Sequence, residues 1–139
     1  MSELFKKDTV IRVEECLKKF KSDLKIIALE TTARTAKDAA NSLKCELGAI
    51  VKSLVFKAEN EFLICLIAGD KRCSLNKLKK TLNKKDVSMA NANEVKEITG
   101  FSIGGVSPIG HLNKLDIIID KSLNRFEYIY GAAGHPDCV

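Results

Sequence analysis

Residues 50–68 read IVKSLVFKAENEFLICLIA. Two apolar runs flank the polar turn Ala58-Glu59-Asn60-Glu61, so the stretch reads as a β-hairpin of Ile50–Phe56 and Phe62–Ala68. Lys52 interrupts the first run. Side chains alternate along a strand, which puts Lys52 on one face with Ile50, Leu54 and Phe56. A lysine on an apolar strand is costly unless its ammonium reaches a partner or a cleft. It either snorkels to water from an edge or serves a function.

The pattern extends outward from the hairpin. Val10, Val13, Leu17 and Phe20 recur at helical spacing over 8–20. A short strand is expected over 24–29. Thr35 and Asp38 have the spacing of a helix cap, opening a helix to about Leu43. Beyond the hairpin, Leu75, Leu78 and Leu82 mark a helix with those leucines inward. A short strand follows at 87–90. Asn91 or Asn93 caps a helix through Ile98, and Gly100 sits where a left-handed C-terminal residue belongs. Strands are expected at 115–120 and 126–130, separated by a turn, and the last residues look like the start of another. Four helices intermixed with five to seven strands need both hairpins and crossovers. The expected fold is α/β: one domain over 1–139, a mixed, mostly antiparallel sheet or partial barrel with surrounding helices.

Composition limits the function. The chain has 139 residues, 45% hydrophobic and 29% charged, which suits one globular domain. It has no apolar run near the roughly 20 residues of a membrane helix and no signal-peptide pattern, so a cytoplasmic protein is expected. Five cysteines without a CxxC, and two histidines, argue against a disulfide framework, a metal site or a metal cofactor. Cys16 and Cys65 read as core residues. A net charge of +5 permits a polyanionic partner.

Three further segments could carry chemistry. GFSIGGVSPIGH, residues 100–111, holds four glycines and Pro108. Gly104-Gly105-Val106-Ser107-Pro108 could turn successive N–H groups toward an anion or a carbonyl oxygen. It is neither GxGxxG nor GxSxG, so Ser107 does not read as a nucleophile. Gly131-Ala132-Ala133-Gly134-His135-Pro136 leaves room for a ligand, with His135 as a hydrogen-bond or proton donor or a plain turn residue. Lys71, Arg72, Lys77, Lys79, Lys80, Lys84 and Lys85 fall within fifteen residues that contain no acid. Such a face is either simply solvated or meets a phosphate backbone. No aromatic interrupts it, so base stacking is not expected there.

In order, Ala39-Ala40, the strand Ile50–Phe56 with Lys52, Ala68-Gly69-Asp70, Thr99 through His111, and Gly134-His135-Pro136 resemble the YbaK/EbsC family. These are relatives of the editing domain inserted in bacterial prolyl-tRNA synthetase. The resemblance implies hydrolysis of mischarged aminoacyl-tRNA in trans, with tRNA as a partner and prolyl-tRNA synthetase as a candidate partner. It implies that Lys52 is the functional lysine. It implies that Gly104 to Pro108 is the GXXXP loop holding the terminal adenosine and the aminoacyl ester. Gly104 and His135 join Lys52 as candidate catalytic residues. Gly105, Val106, Ser107, Pro108, Ala132, Ala133 and Gly134 are candidates for binding substrate. Lys71, Arg72, Lys77, Lys80 and Lys84 are candidates for the tRNA backbone. The cysteine-removing branch carries Ser-Gly-Gly-Lys where this chain has Ala132–His135, so alanine, serine or threonine is favoured over cysteine.

A cationic lysine suits an oxyanion or phosphate better than general-base work. No triad is visible, so attack assisted by a ribose hydroxyl is the expected route. Two alternatives stay open: a non-catalytic module that binds aminoacyl-tRNA or a nucleotide, and a hydrolase of another small ester or amide.

Overall fold

The computed structural model describes residues 3–21, 23–31 and 35–139. Its axis is the expected hairpin. β1 (Ile50–Ala58) and β2 (Glu61–Ala68) pair antiparallel from Val51–Ala68 to Ala58–Glu61. β3 (Val87–Met89) joins the far edge of β1, antiparallel, at Phe56–Ala58. β4 (Asp116–Ile119) runs parallel along the outside of β2. β5 (Tyr130–Gly131) joins β1 in parallel at Ile50 and Val51. The sheet is therefore mixed, ordered β3-β1-β2-β4 with β5 sharing an edge of β1 with β3.

That shared edge is interrupted. β5 stops pairing at Val51 and β3 starts at Phe56. The Ala90 N–H donates to the Val55 carbonyl at 3.0 Å. Backbone groups alternate in direction along a strand, so Ser53 also turns its N–H and C=O to this edge. No described strand pairs with Ser53 there.

Helices cover both faces. α1 (Asp8–Phe20) and α4 (Ala92–Thr99) pack Val10, Val13 and Val95 with Val51, Val55, Ile64 and Phe101. Each valine so buried stabilises the fold by about 1.5–3 kcal/mol. On the other face α3 (Leu75–Leu82) sets Leu78 on Phe56, Leu63, Cys65 and Ile67. α2 (Ala36–Leu43) brings Ala39 and Ala40 against Ile50. The cap signals hold. Thr35 accepts the Asp38 N–H at 3.1 Å, and Asn91 and Glu94 form a reciprocal capping box. Gly100 ends α4 at φ +82°.

Five local expectations need correction. Residues 24–29 form no regular strand. A single bridge, Ala28 to Cys138, joins them to a partner segment of three residues at the chain end. Of 126–130, Tyr130 alone pairs with β1, and Tyr128 and Ile129 lie exposed outside. Phe20 is 88% exposed beyond the last packed turn of α1, and Leu75, at the first turn of α3, is also exposed. Cys65 is buried in the core, as expected, whereas Cys16 is half-buried.

Candidate active site

The interruption in β1's edge opens into a cleft of about 370 Å³. Drug-sized ligand sites span roughly 300–1,000 Å³. α2 supplies one wall through Thr35, Ala36 and Ala39. Residues 50–55 of β1 form the floor. Met89, Ala90 and Val95 close one end, and Tyr130, Ala132 and Pro136 the other. Ile103, Gly104 and Val106 of the glycine loop stand opposite. Among the described lining residues, Lys52 carries the one cationic side chain, and neither a carboxylate side chain nor an imidazole is present.

Lys52 is half-buried, on the face of β1 shared with Ile50 and Leu54. Its ammonium donates to the carbonyl of Lys71, in the turn after β2. A partner is thus found, as the cost of burying an ammonium demands, and it lies in the basic segment. Asp70 beside it is held by a two-pronged contact from Arg125, 2.8 Å on each oxygen, and this guanidinium keeps its carboxyl below the usual range.

The glycine loop divides into contact and support. Gly104 is exposed at the cleft with φ +93°, and an added Cβ would meet Pro136 at 3.4 Å. Its glycine is explained by the backbone angle, not by crowding. Gly105 faces away. Its Cβ would lie 3.0 Å from the His135 nitrogen, and its carbonyl accepts the Gly134 N–H at 3.0 Å. Val106 lines the cleft. Ser107 is 1% exposed, and its hydroxyl accepts the Ile109 N–H at 3.2 Å. Pro108 packs on Gly131, where a Cβ would come within 2.7 Å of the ring.

The 131–136 wall divides the same way. Ala132 and Pro136 line the cleft, whereas Ala133 is buried and donates to Cys138 at 2.8 Å. Gly134, at φ +88°, accepts the Thr9 hydroxyl at 2.8 Å. The His135 Nδ1 accepts the Asp137 N–H at 3.1 Å, and the ring lies outside the lining. Geometry therefore brings together Lys52, Gly104, Val106 and Ala132, and sets Gly105, Ser107, Pro108, Ala133, Gly134 and His135 behind them. Sequence reading missed Ala36, Ala39, Met89 and Ile103 as lining residues, because their aliphatic side chains carry no chemical signature.

His111 has a structural part. Its Nε2 lies 2.6 Å from the Ser107 carbonyl, which can only accept, so Nε2 carries the proton. The ring stands edge-on to Phe101 at 6.1 Å. Burial pushes its pKa below the ordinary histidine value; the Ser107 bond opposes this and Arg12 adds to it. As pH falls, the unfolded chain takes up this proton first. The stability tied to a neutral His111 is therefore complete above about pH 6.5 and lost as pH drops below it. Urea unfolding at about pH 7.5 and about pH 5.5 should show a smaller decline for His111→Gln than for the parent. Equal declines would remove His111 from the account.

The basic residues lie outside the cleft lining. Lys71, Arg72, Lys77 and Lys80 are exposed on the turn after β2 and on α3. Lys84 is partly neutralised by Glu59 at 4.0 Å. The Lys52–Lys71 bond links this face to the cleft floor.

Comparison with known proteins gives the family. Residues 30–139 match the aminoacyl-tRNA editing domain family. The uncharacterised protein YwhH of Bacillus subtilis (strain 168) is 36% identical over 110 residues, covering 78% of this chain and 69% of that protein. The proline–tRNA ligase of Thermosipho africanus (strain TCF52B) is 38% identical over 90 residues, covering 65% of this chain and 16% of the ligase. The chain thus spans under a fifth of the ligase's length. A crystal structure of a candidate trans-editing enzyme for prolyl tRNA synthetase superposes with a TM-score of 0.89 at 35% identity, over 95% of this chain and 84% of that one. Fold, cleft and sequence concur: the chain belongs to the aminoacyl-tRNA editing domain family, whose enzymes hydrolyse the ester of wrongly charged tRNA.

Proposed function

We propose that this protein deacylates tRNA charged with a wrong small amino acid, acting in trans. Alanine, serine and threonine are favoured over cysteine, on a proline tRNA or a related one, with prolyl-tRNA synthetase as the candidate partner and the cytoplasm as the setting. The observation that carries the reading is the lining of the cleft: mostly apolar walls that include Ala36, Ala39, Ala90 and Ala132, one lysine, and a glycine loop with an exposed left-handed residue. Such walls admit a short side chain and exclude a long one. They separate side chains differing by one methylene by roughly 1–3 kcal/mol, so neighbouring small amino acids share the site.

The chemistry follows from what lines the cleft. An ester needs its developing oxyanion stabilised and its nucleophile activated. Lys52 supplies the positive charge once its ammonium leaves the Lys71 carbonyl, and Gly104 lets the loop backbone approach the adenosine and the ester. With no carboxylate side chain or imidazole among the described lining residues, the substrate's own free ribose hydroxyl activates the attack. Gly105, Ser107, Pro108, Ala133, Gly134 and His135 hold the loop and wall in register. Lys71, Arg72, Lys77, Lys80 and Lys84 meet the tRNA backbone.

One panel tests this: hydrolysis of alanyl-, seryl-, threonyl- and cysteinyl-tRNA, on proline and non-proline tRNA bodies, over a range of salt. Accelerated loss of the first three is expected, with the rate under subsaturating conditions falling as salt rises. Lys77→Glu with Lys80→Glu should flatten that salt dependence. Tight binding of charged tRNA without faster ester loss would make the protein a binding module instead. Turnover of small esters, indifferent to tRNA and to salt, would make it a different hydrolase.

A further inference from the structure

Ser53 stands apart from every other residue of the cleft. Its hydroxyl is buried and has no hydrogen-bond partner. It lines the cleft, and its backbone N–H and C=O face the interruption between β5 and β3. A buried unpaired hydroxyl costs stability. The fold therefore carries at one position an unpaired hydroxyl and a backbone N–H and C=O with which no described strand pairs. Ordinary core packing does not account for them, because Val51 and Val55 fill the same face with aliphatic groups.

We infer that Ser53 is the docking point for the aminoacyl group's own main chain, its hydroxyl and carbonyl accepting the α-ammonium. The N–H of the same residue faces the ester carbonyl, as one residue of an added strand would require. This rests on the reading of the substrate as an aminoacyl ester. Neutral acceptors suit a cation. Every amino acid carries that ammonium. Ser53 thus gives affinity without selecting the side chain, and selection is left to the walls around Ala36, Ala39 and Val95.

The test uses two non-hydrolysable probes, 3′-deoxy-3′-alanylamidoadenosine and its propionylamido counterpart, which lacks the amine. Binding is measured by NMR titration at about pH 7, below the α-amino pKa of about 7.7–8.0. The parent protein should prefer the amine probe by about tenfold, with the Ser53 amide among the shifted signals. Ser53→Ala should bring the two probes to within about twofold of each other while leaving the urea midpoint unchanged or raised, because an unpaired hydroxyl has been removed. Equal affinity of the parent for both probes, failure of both to bind included, overturns the assignment. So does an amine preference that survives in Ser53→Ala, which would mean the hydroxyl is served by a resident water. The deacylase reading fails separately: the amine preference would persist while charged tRNA lost its ester no faster than in buffer.

Discussion

Lys52→Met should lower deacylation of the best charged tRNA by at least about a hundredfold, the loss typical of removing one donor to a developing oxyanion. Methionine keeps the length of the stem and deletes the charge, so packing against Ile50 and Leu54 survives. The hydrogen bond to the Lys71 carbonyl is lost with it, but that carbonyl sits on an exposed turn where water can replace the ammonium. Folding should therefore be intact by circular dichroism, and the urea midpoint should move little in either direction. A Lys52→Met protein that hydrolyses at the parental rate would take the central charge out of the mechanism. Normal hydrolysis with weakened tRNA binding would instead give Lys52 to the phosphate chain alone.

Gly134→Ala should be the most destabilising single change in the wall. Gly134 holds φ +88°, and a Cβ there would lie 2.6 Å from both the carbonyl carbon and the oxygen of Thr9. Left-handed backbone costs a non-glycine residue about 1–2 kcal/mol. Forcing an extra carbon against backbone that cannot rotate away adds about 1–3 kcal/mol. A combined loss of roughly 2–5 kcal/mol would take a large share of a typical domain's stability. Gly110 supplies the comparison. It has φ +78°, yet the nearest atoms to its added Cβ are 3.6 Å away. Gly110→Ala should incur the backbone cost of about 1–2 kcal/mol and little else. Urea unfolding of the two variants side by side checks this, and equal losses would show that the contact with Thr9 relaxes freely.

The two glycines also mark how far sequence could be read. Lys52 stood out because a charge in an apolar strand is expensive wherever the strand lies. The hairpin and the caps at Thr35 and Asn91 were visible because their signals are local. Glycine is ambiguous: Gly104 is open to the cleft, whereas Gly105 and Gly134 answer to neighbouring backbone, and one letter serves both needs. His135 and Ser107 have suggestive chemistry, yet the His135 Nδ1 and the Ser107 hydroxyl each accept an N–H two residues on, a turn contact that sequence does not show. The cleft walls at Ala36, Ala39, Met89 and Ile103 were silent because an aliphatic side chain lining a ligand looks the same in sequence as one lining a core. The unpaired hydroxyl of Ser53 exists only once β3 and β5 are seen to stop short of each other.

The family match begins at residue 30, yet α1, which ends at Phe20, grips the loop and the wall from behind. Arg12 donates to the Gly110 carbonyl at 2.8 Å and lies over the Phe101 ring at 4.6 Å, while Thr9 holds Gly134. The span of the family match and the boundary of the mechanical unit are therefore different lines. Anyone transplanting this domain into another protein would have to carry the helix along as its brace.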